Sequence, residues 1–173
     1  DHGAIVAQRD ATCDMRHVAY PELHDQLAKL GAELLIEILP RWIAGAITPA
    51  PQDDIKATYC KLLTKEDGKI NWSRPAEEIE RMIRAFRPWP GTWTVWHTTE
   101  RNLRIRIEEA DWVEDEMPGA SEGSVSKNEM HPFLVKSGRG SLAIQKLQLE
   151  GSTLTDAASF LRGHPSLIGT QLL

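Results

Sequence analysis

Cysteine is scarce in this chain: Cys13 and Cys60 are the only two among 173 residues. Neither sits in a Cys-x-x-Cys pair, and no His-x-x-x-His occurs. A disulfide-stapled scaffold is therefore excluded, as are the usual zinc spacings, and no metal site is expected. Long apolar runs are also missing. None reaches the roughly 18–20 residues that a bilayer crossing requires, and no stretch reads as a secretory leader. These absences predict a protein of the reducing cytoplasm that touches no membrane. Cation excess is lacking too. The formal net charge is −5, which does not by itself announce a polyanion as partner. There is no internal repeat and no low-complexity tract.

What is present is the balance of a globular chain, 41% hydrophobic and 26% charged. The length suits one domain, or one small domain plus part of another. The first residue is Asp1 rather than Met, and "DHGAIVAQ" reads as a loop entering a short strand, so an N-terminal part is expected to be missing. Charge is unevenly spread. From Lys56 to Arg106 there are eleven Lys or Arg and six Asp or Glu. The following "EEADWVEDEMPGASE" carries acids and no base. A locally basic face on an acidic chain follows.

Periodicity separates the chain into parts. Leu23, Leu27, Leu30, Leu34, Leu35, Ile38 and Leu39 recur at three- and four-residue spacing and predict a helix from Pro21 to about Gly45. Pro21 suits its first turn, and Pro40 is expected to kink or end it. The next stretch, with Pro49, Pro51 and an Asp67-Gly68 turn, reads as an extended linker. A second helix is expected after Ser73 as N-cap, with Ala76, Ile79, Met82, Ile83 and Phe86 as its apolar stripe and Pro88 as its stop. From Thr92 the period becomes two. Trp93 and Val95 are expected to share one face, with Trp93 entering the core. Leu103, Ile105 and Ile107 share another, opposite Arg104 and Arg106. A hairpin is expected at Gly138-Arg139-Gly140. Leu142 and Ile144 are out of phase with Leu147 and Leu149, which predicts a bulge near Gln145-Lys146. A short closing helix, Asp156 to Leu161, would be capped by Thr155 or Ser152. With so few strands, a small closed or half-closed barrel removes the sheet edges, and an oligonucleotide-binding barrel is the leading architecture.

These parts resemble a known family. "ATYCKLLTKEDGKINWSRPAEEIERMIRAFRPWPGTWT" is similar to the linker and first C-terminal helix of methionyl-tRNA formyltransferases. "LQLEGSTLTDAASFLRGHP" resembles that family's tail, and "DHGAIVAQ" its Asp-x-Gly loop. The resemblance implies an α+β chain in three parts. Residues 1–52 would be the helical remnant of a Rossmann-like formyltransferase catalytic domain, 53–70 a linker, and 71–173 an oligonucleotide-binding-type barrel. It implies formyl transfer from 10-formyltetrahydrofolate to methionyl initiator tRNA, in which Asp1 matches the catalytic aspartate and Asp1 with Gly3 touches the folate. The family's catalytic Asn and His would lie upstream, in a missing N-terminal catalytic domain, so the isolated chain is expected to be inactive.

The resemblance further implies tRNA contacts by Lys61, Lys65, Lys69, Arg74, Arg81, Arg84, Arg87, Trp89, Arg104 and Arg106. Read from composition alone, the lysines are a solvated linker, and Arg81, Arg84 and Arg87 compensate a helix dipole. Arg104 and Arg106 have an alternative as cross-strand partners of the acidic "EDE" run at 114–116. Trp42, Trp72, Trp93, Trp96 and Trp112 read as packing residues, and Trp89, on the corner beside the arginines, as the exception. A monomer is expected. Two other assignments stay open at this point. One is the C-terminal domain of another folate-dependent enzyme, a sugar-nucleotide formyltransferase or formyltetrahydrofolate dehydrogenase. The other is a non-catalytic RNA-binding module.

Overall fold

The computed structural model describes residues 2–114 and 117–173. The chain divides into two compact units, Asp1–Leu62 and Leu63–Leu173.

The N-terminal unit is dominated by α1, Tyr20–Ile43. Pro21 lies in its first turn, as its sequence position predicts. Pro40 lies inside the helix, which continues three residues beyond it. None of its residues is buried, and Leu35, Ile36 and Ile43 are exposed. Ile5 and Ala50 exchange both backbone hydrogen bonds, at 2.8 and 2.9 Å. Gln52 Nε2 donates to the Gly3 carbonyl at 2.7 Å. Together these contacts tie the start of the unit to the stretch after α1.

The C-terminal unit is a mixed α/β structure built on an antiparallel sheet. Its strands are β1 (Thr92–His97), β2 (Asn102–Val113), β3 (Val125–Ser126), β4 (Leu134–Lys136), β5 (Ser141–Leu149) and β6 (Thr155–Asp156). The sheet order is β1-β2-β5-β4-β3, with β6 paired to β5. Residues 169–173 return to both edges. Leu173 exchanges hydrogen bonds with Val95 of β1, while Val125 of β3 donates to Thr170 and accepts from Gly169. No edge of β1 or β3 is left open along these stretches.

The core forms from α2 (Ala76–Ala85) laid across β2. Ala76, Ile79 and Ile83 meet Ile105, Ile107, Leu142, Ile144, Leu147 and Phe133 in one buried cluster. The stripe matches the expected 3.6-residue period. Two caps differ from expectation. Ser73 spends its hydroxyl on Asn71 Oδ1 at 2.8 Å, and α2 starts after Pro75 without a side-chain cap. The last helix, α3 (Ala157–Gly163), is capped by Asp156, whose carboxylate accepts from the Ser159 N–H at 2.8 Å. Thr155 lies in β6 instead.

The expected bulge is present and is paired across two strands. Ile107 faces Leu147, Glu109 faces Lys146, and Ala110 faces Ile144. Each strand thus carries one residue without a partner, Glu108 on β2 and Gln145 on β5. On β5 this restores Leu147 and Leu149 to the core side. On β2 it returns Ala110 to the core and leaves two consecutive glutamates, Glu108 and Glu109, on the outer side.

The expectation for Trp93 needs correction. The β1–β2 register places Trp93 opposite Arg106, so Thr92 and Thr94 face Ile107 and Ile105. Thr92, Thr94 and Trp96 point inward, and Trp93 lies on the outer face. The two inward threonines are satisfied: Thr92 Oγ1 donates to the Ile107 carbonyl at 2.8 Å, and Thr94 Oγ1 to the Leu173 carbonyl at 2.9 Å. A buried hydroxyl with a partner carries little penalty, which lets this register stand.

Candidate nucleic-acid interface

The outer face of β1–β2 is where the basic stretch meets the sheet. Alternation puts Trp93 there, and the strand pairing brings Arg104 and Arg106 beside it. Arg104 Cζ lies over the Trp93 ring, 3.9 Å from its centroid, and Lys69 Nζ lies 5.9 Å from the same centroid. Both cations are within cation–π range, and both residues are exposed to solvent. Trp93 itself is only 8% exposed. It is thus a buried platform under the cations, with no open ring for a base to stack on.

The stretch 65–70 is docked onto this face by backbone contacts. Trp93 Nε1 donates to the Lys65 carbonyl at 2.9 Å, and the Ile70 N–H donates to the Trp93 carbonyl at 2.8 Å. Gly68 closes a 3-10 turn, Lys65–Gly68. A Cβ added at Gly68 would fall 2.0 Å from the Gly91 carbonyl oxygen. Only glycine allows that approach. Lys65 and Lys69 therefore reach the sheet from a fixed turn rather than from a loose tether.

The corner after α2 is fixed on its other side. Both Arg87-Pro88 and Trp89-Pro90 peptide bonds are cis. Arg106 Nη2 donates to the Pro88 carbonyl at 3.0 Å, and the guanidinium lies against Gly91. Trp89 is 54% exposed on this corner.

Several of the expected contacts are already engaged within the unit. Arg81 pairs with Glu77 at 2.7 Å, one helical turn away. Arg84 pairs with Glu80 at 2.5 Å, with both side chains 14% exposed. Arg87 Nη1 lies 3.7 Å from Glu109, which also accepts Lys146 at 3.0 Å. Arg106 Nε lies 2.5 Å from Glu108, an ion-pair contact whose angle falls short of a hydrogen bond. Arg74 is away from this group, against the 138–140 turn, where its carbonyl accepts from the Gly138 N–H. Lys61 belongs to the other unit. Asp1 lies outside the described residues.

The sequence of residues 62–165 matches the family described as formyl transferase, C-terminal domain. The chain belongs to that family. Among curated proteins it is 37% identical over 168 residues to the methionyl-tRNA formyltransferase of Akkermansia muciniphila, covering 96% of this chain and 53% of that one. It is 39% identical over 165 residues to the methionyl-tRNA formyltransferase of Chloroflexus aurantiacus, covering 94% and 51%. The chain spans about half the length of the curated relatives it matches. Among solved structures, HypX from Aquifex aeolicus shares the fold, with a TM-score of 0.64 at 15% identity over 97% of this chain and 30% of that one.

Within this family member, the residues that sequence reasoning missed are Trp93 as platform and Glu108 and Glu109 as partners of the arginines. The signal for Trp93 lay in the hairpin. A turn at 98–101 sets His97 opposite Asn102, and every pairing up to Trp93 with Arg106 follows. Alternation from Arg106 carries Glu108 to the outer face, whereas Glu109 carried no such signal, because its placement depends on the paired bulge.

Gly3, which the resemblance places against the folate, has its carbonyl taken by Gln52 Nε2.

Proposed function

We propose that this chain is the tRNA-holding part of a methionyl-tRNA formyltransferase, comprising the end of the catalytic domain (1–52), a linker (53–70) and an oligonucleotide-binding-type barrel (71–173). The return of residues 169–173 to both sheet edges supports the barrel. The identity of 37–39% to enzymes of that name supports the activity of the parent protein, formyl transfer from 10-formyltetrahydrofolate to methionyl initiator tRNA in the cytoplasm. Asp1 would serve there beside groups supplied by the missing half. An aspartate alone neither donates to a tetrahedral oxyanion nor makes an adequate base for an amine. The 173-residue chain is accordingly a tRNA-binding piece without turnover, and a monomer.

The observation that carries this reading is the Lys69–Trp93–Arg104 stack on the outer face of β1–β2. It holds two cations on a rigid base, with their polar ends toward solvent. Phosphate contact by such cations releases counterions, so each adds about 0.9 to the steepness of log affinity against log salt. The test is a titration of the chain with initiator tRNA at several salt concentrations, repeated for Lys69→Ala and Arg104→Ala. Each variant is expected to flatten the slope by roughly 0.9. Affinity that does not respond to salt, or slopes equal to the parent's in both variants, would remove the proposal's support.

A further inference from the structure

The outer face of β1–β2 carries three guanidinium or ammonium groups around Trp93, and one of them is muted. The Arg104 guanidinium and the Lys69 ammonium have no carboxylate partner among the described residues, although the Arg104 N–H donates to Glu150 at 3.4 Å, whereas the Arg106 guanidinium is held by Glu108 at 2.5 Å. Alternation from Arg106 already places Glu108 on the outer side, and the paired bulge, which leaves Glu108 without a cross-strand partner and returns Ala110 to the core, adds Glu109 beside it. The same device sets Glu109 against Arg87 and Lys146. Without the bulge, the strand would alternate from Arg106 to a single outward acid. With it, Glu109 joins Glu108 on the outer side and meets the cations that the corner and the neighbouring strand present, while Glu108 meets Arg106 of its own strand.

We infer that Glu108 is a built-in brake on RNA binding, neutralising Arg106 so that the face grips RNA phosphates through Lys69 and Arg104 alone. This rests on the tRNA reading above and adds to it a specificity role for an acidic residue. A face with every cation exposed would bind any polyanion strongly, because phosphate contacts carry no sequence information. Limiting their number keeps the indiscriminate part of binding low and leaves discrimination to shape and to the rest of the enzyme. Arg106 is well placed to be held in reserve. It lies two residues from Arg104 on the same side of β2, opposite Trp93, and its guanidinium hydrogen bond goes to the neutral Pro88 carbonyl.

The test compares two variants that change net charge equally. Glu108→Gln releases Arg106 on the proposed face. Glu37→Gln releases Arg9 from its own pair in the N-terminal unit. Both are titrated, beside the parent chain, against initiator tRNA and against an unrelated RNA hairpin from about 50 to 200 mM salt. Glu108→Gln is expected to steepen the salt slope by roughly 0.9 and to tighten binding of both RNAs several-fold at the lowest salt. Glu37→Gln is expected to leave slope and affinity near the parent's. An unchanged or weakened affinity in Glu108→Gln would overturn the brake, provided its melting curve shows a folded chain. If Glu108→Gln does not fold, the charge-neutral double variant Arg106→Gln/Glu108→Gln decides: the brake requires parental RNA affinity and slope, and a loss of one contact's slope overturns it. Equal gains in both glutamate variants would also overturn it, since net charge would then suffice. A parent chain that binds no RNA in any salt would instead overturn the underlying tRNA reading, which keeps the two failures distinct.

Discussion

Replacing Gly68 by alanine tests whether the 65–70 stretch is locked to the sheet. The added Cβ would lie 2.0 Å from the Gly91 carbonyl oxygen and 3.3 Å from Trp93 Cδ1. Ordinary contact begins near 3.4 Å, so one backbone must move by about 1.4 Å. Both sides of the contact are backbone, and neither can swing away as a side-chain end could. Such overpacking costs about 1–3 kcal/mol. The displacement also strains the Trp93–Lys65 and Ile70–Trp93 hydrogen bonds, each contributing about 0.5–1.5 kcal/mol. The sum is about 2–6 kcal/mol, or a fall in Tm of roughly 8–24 °C for a unit of this size. Gly163→Ala is the control. It ends α3, its Cβ would meet nothing within 4 Å, and its φ is not positive. There alanine should stabilise by about 0.5 kcal/mol through the unfolded chain. Thermal melts of the two variants should move in opposite directions. A Gly68→Ala melt within about 2 °C of the parent would show that the turn is not anchored, and the positioning of Lys69 would lose its basis.

Other outcomes follow from the same structure. Leu147→Ala removes a side chain with no exposed surface from the main cluster and should cost about 2–5 kcal/mol, read as a lower denaturant midpoint. Asp156→Ala removes the α3 cap and should lower Tm, while Asp156→Asn, which keeps an accepting oxygen, should lower it less. Hydrogen bonds from Ser159 lower the Asp156 pKa below its ordinary value. A depressed carboxylate stabilises the fold above its unfolded pKa and loses that contribution as pH falls through the folded one. The Tm of Asp156→Ala should therefore converge on the parent's in acid and separate from it toward neutrality. A gap that is independent of pH would contradict the capping role. The salt slopes of Lys69→Ala and Arg104→Ala, and the gain in Glu108→Gln, complete the set.

Much of the second unit was legible from local pattern. The α2 stripe, the 138–140 hairpin and the bulge at Gln145 each follow from periodicity or from glycine placement. The bulge is the more telling case: a parity break between Ile144 and Leu147 could be repaired in no other way while keeping both buried. Trp93 was misread because aromatic size suggests burial in the core, whereas register assigned the inward positions to Thr92 and Thr94. Those threonines are buried only because Ile107 and Leu173 offer carbonyls, and such partners are invisible to a single-strand pattern. Of the candidate cations, sequence could say that they are near one another along the chain. It could not say which carboxylate each would meet, since Glu109 reaches Arg87 only after the bulge and the sheet have formed. The leucine period of α1 predicted a helix and nothing of its surroundings; Leu23, Leu30, Leu34 and Ile38 are half-buried, and Leu27, Leu35 and Leu39 are exposed.

Residues 169–173 bind to strands that precede them by some 45 to 80 positions. Such a seam is the most non-local set of contacts in the unit, and it is made by a segment only five residues long. Trimming that segment would bare two rows of backbone donors and acceptors at once, turning a sealed particle into one with two adhesive rims. Closure by so short a strip also makes the seam the slow and vulnerable step of assembly, because distant ends must meet before either is rewarded.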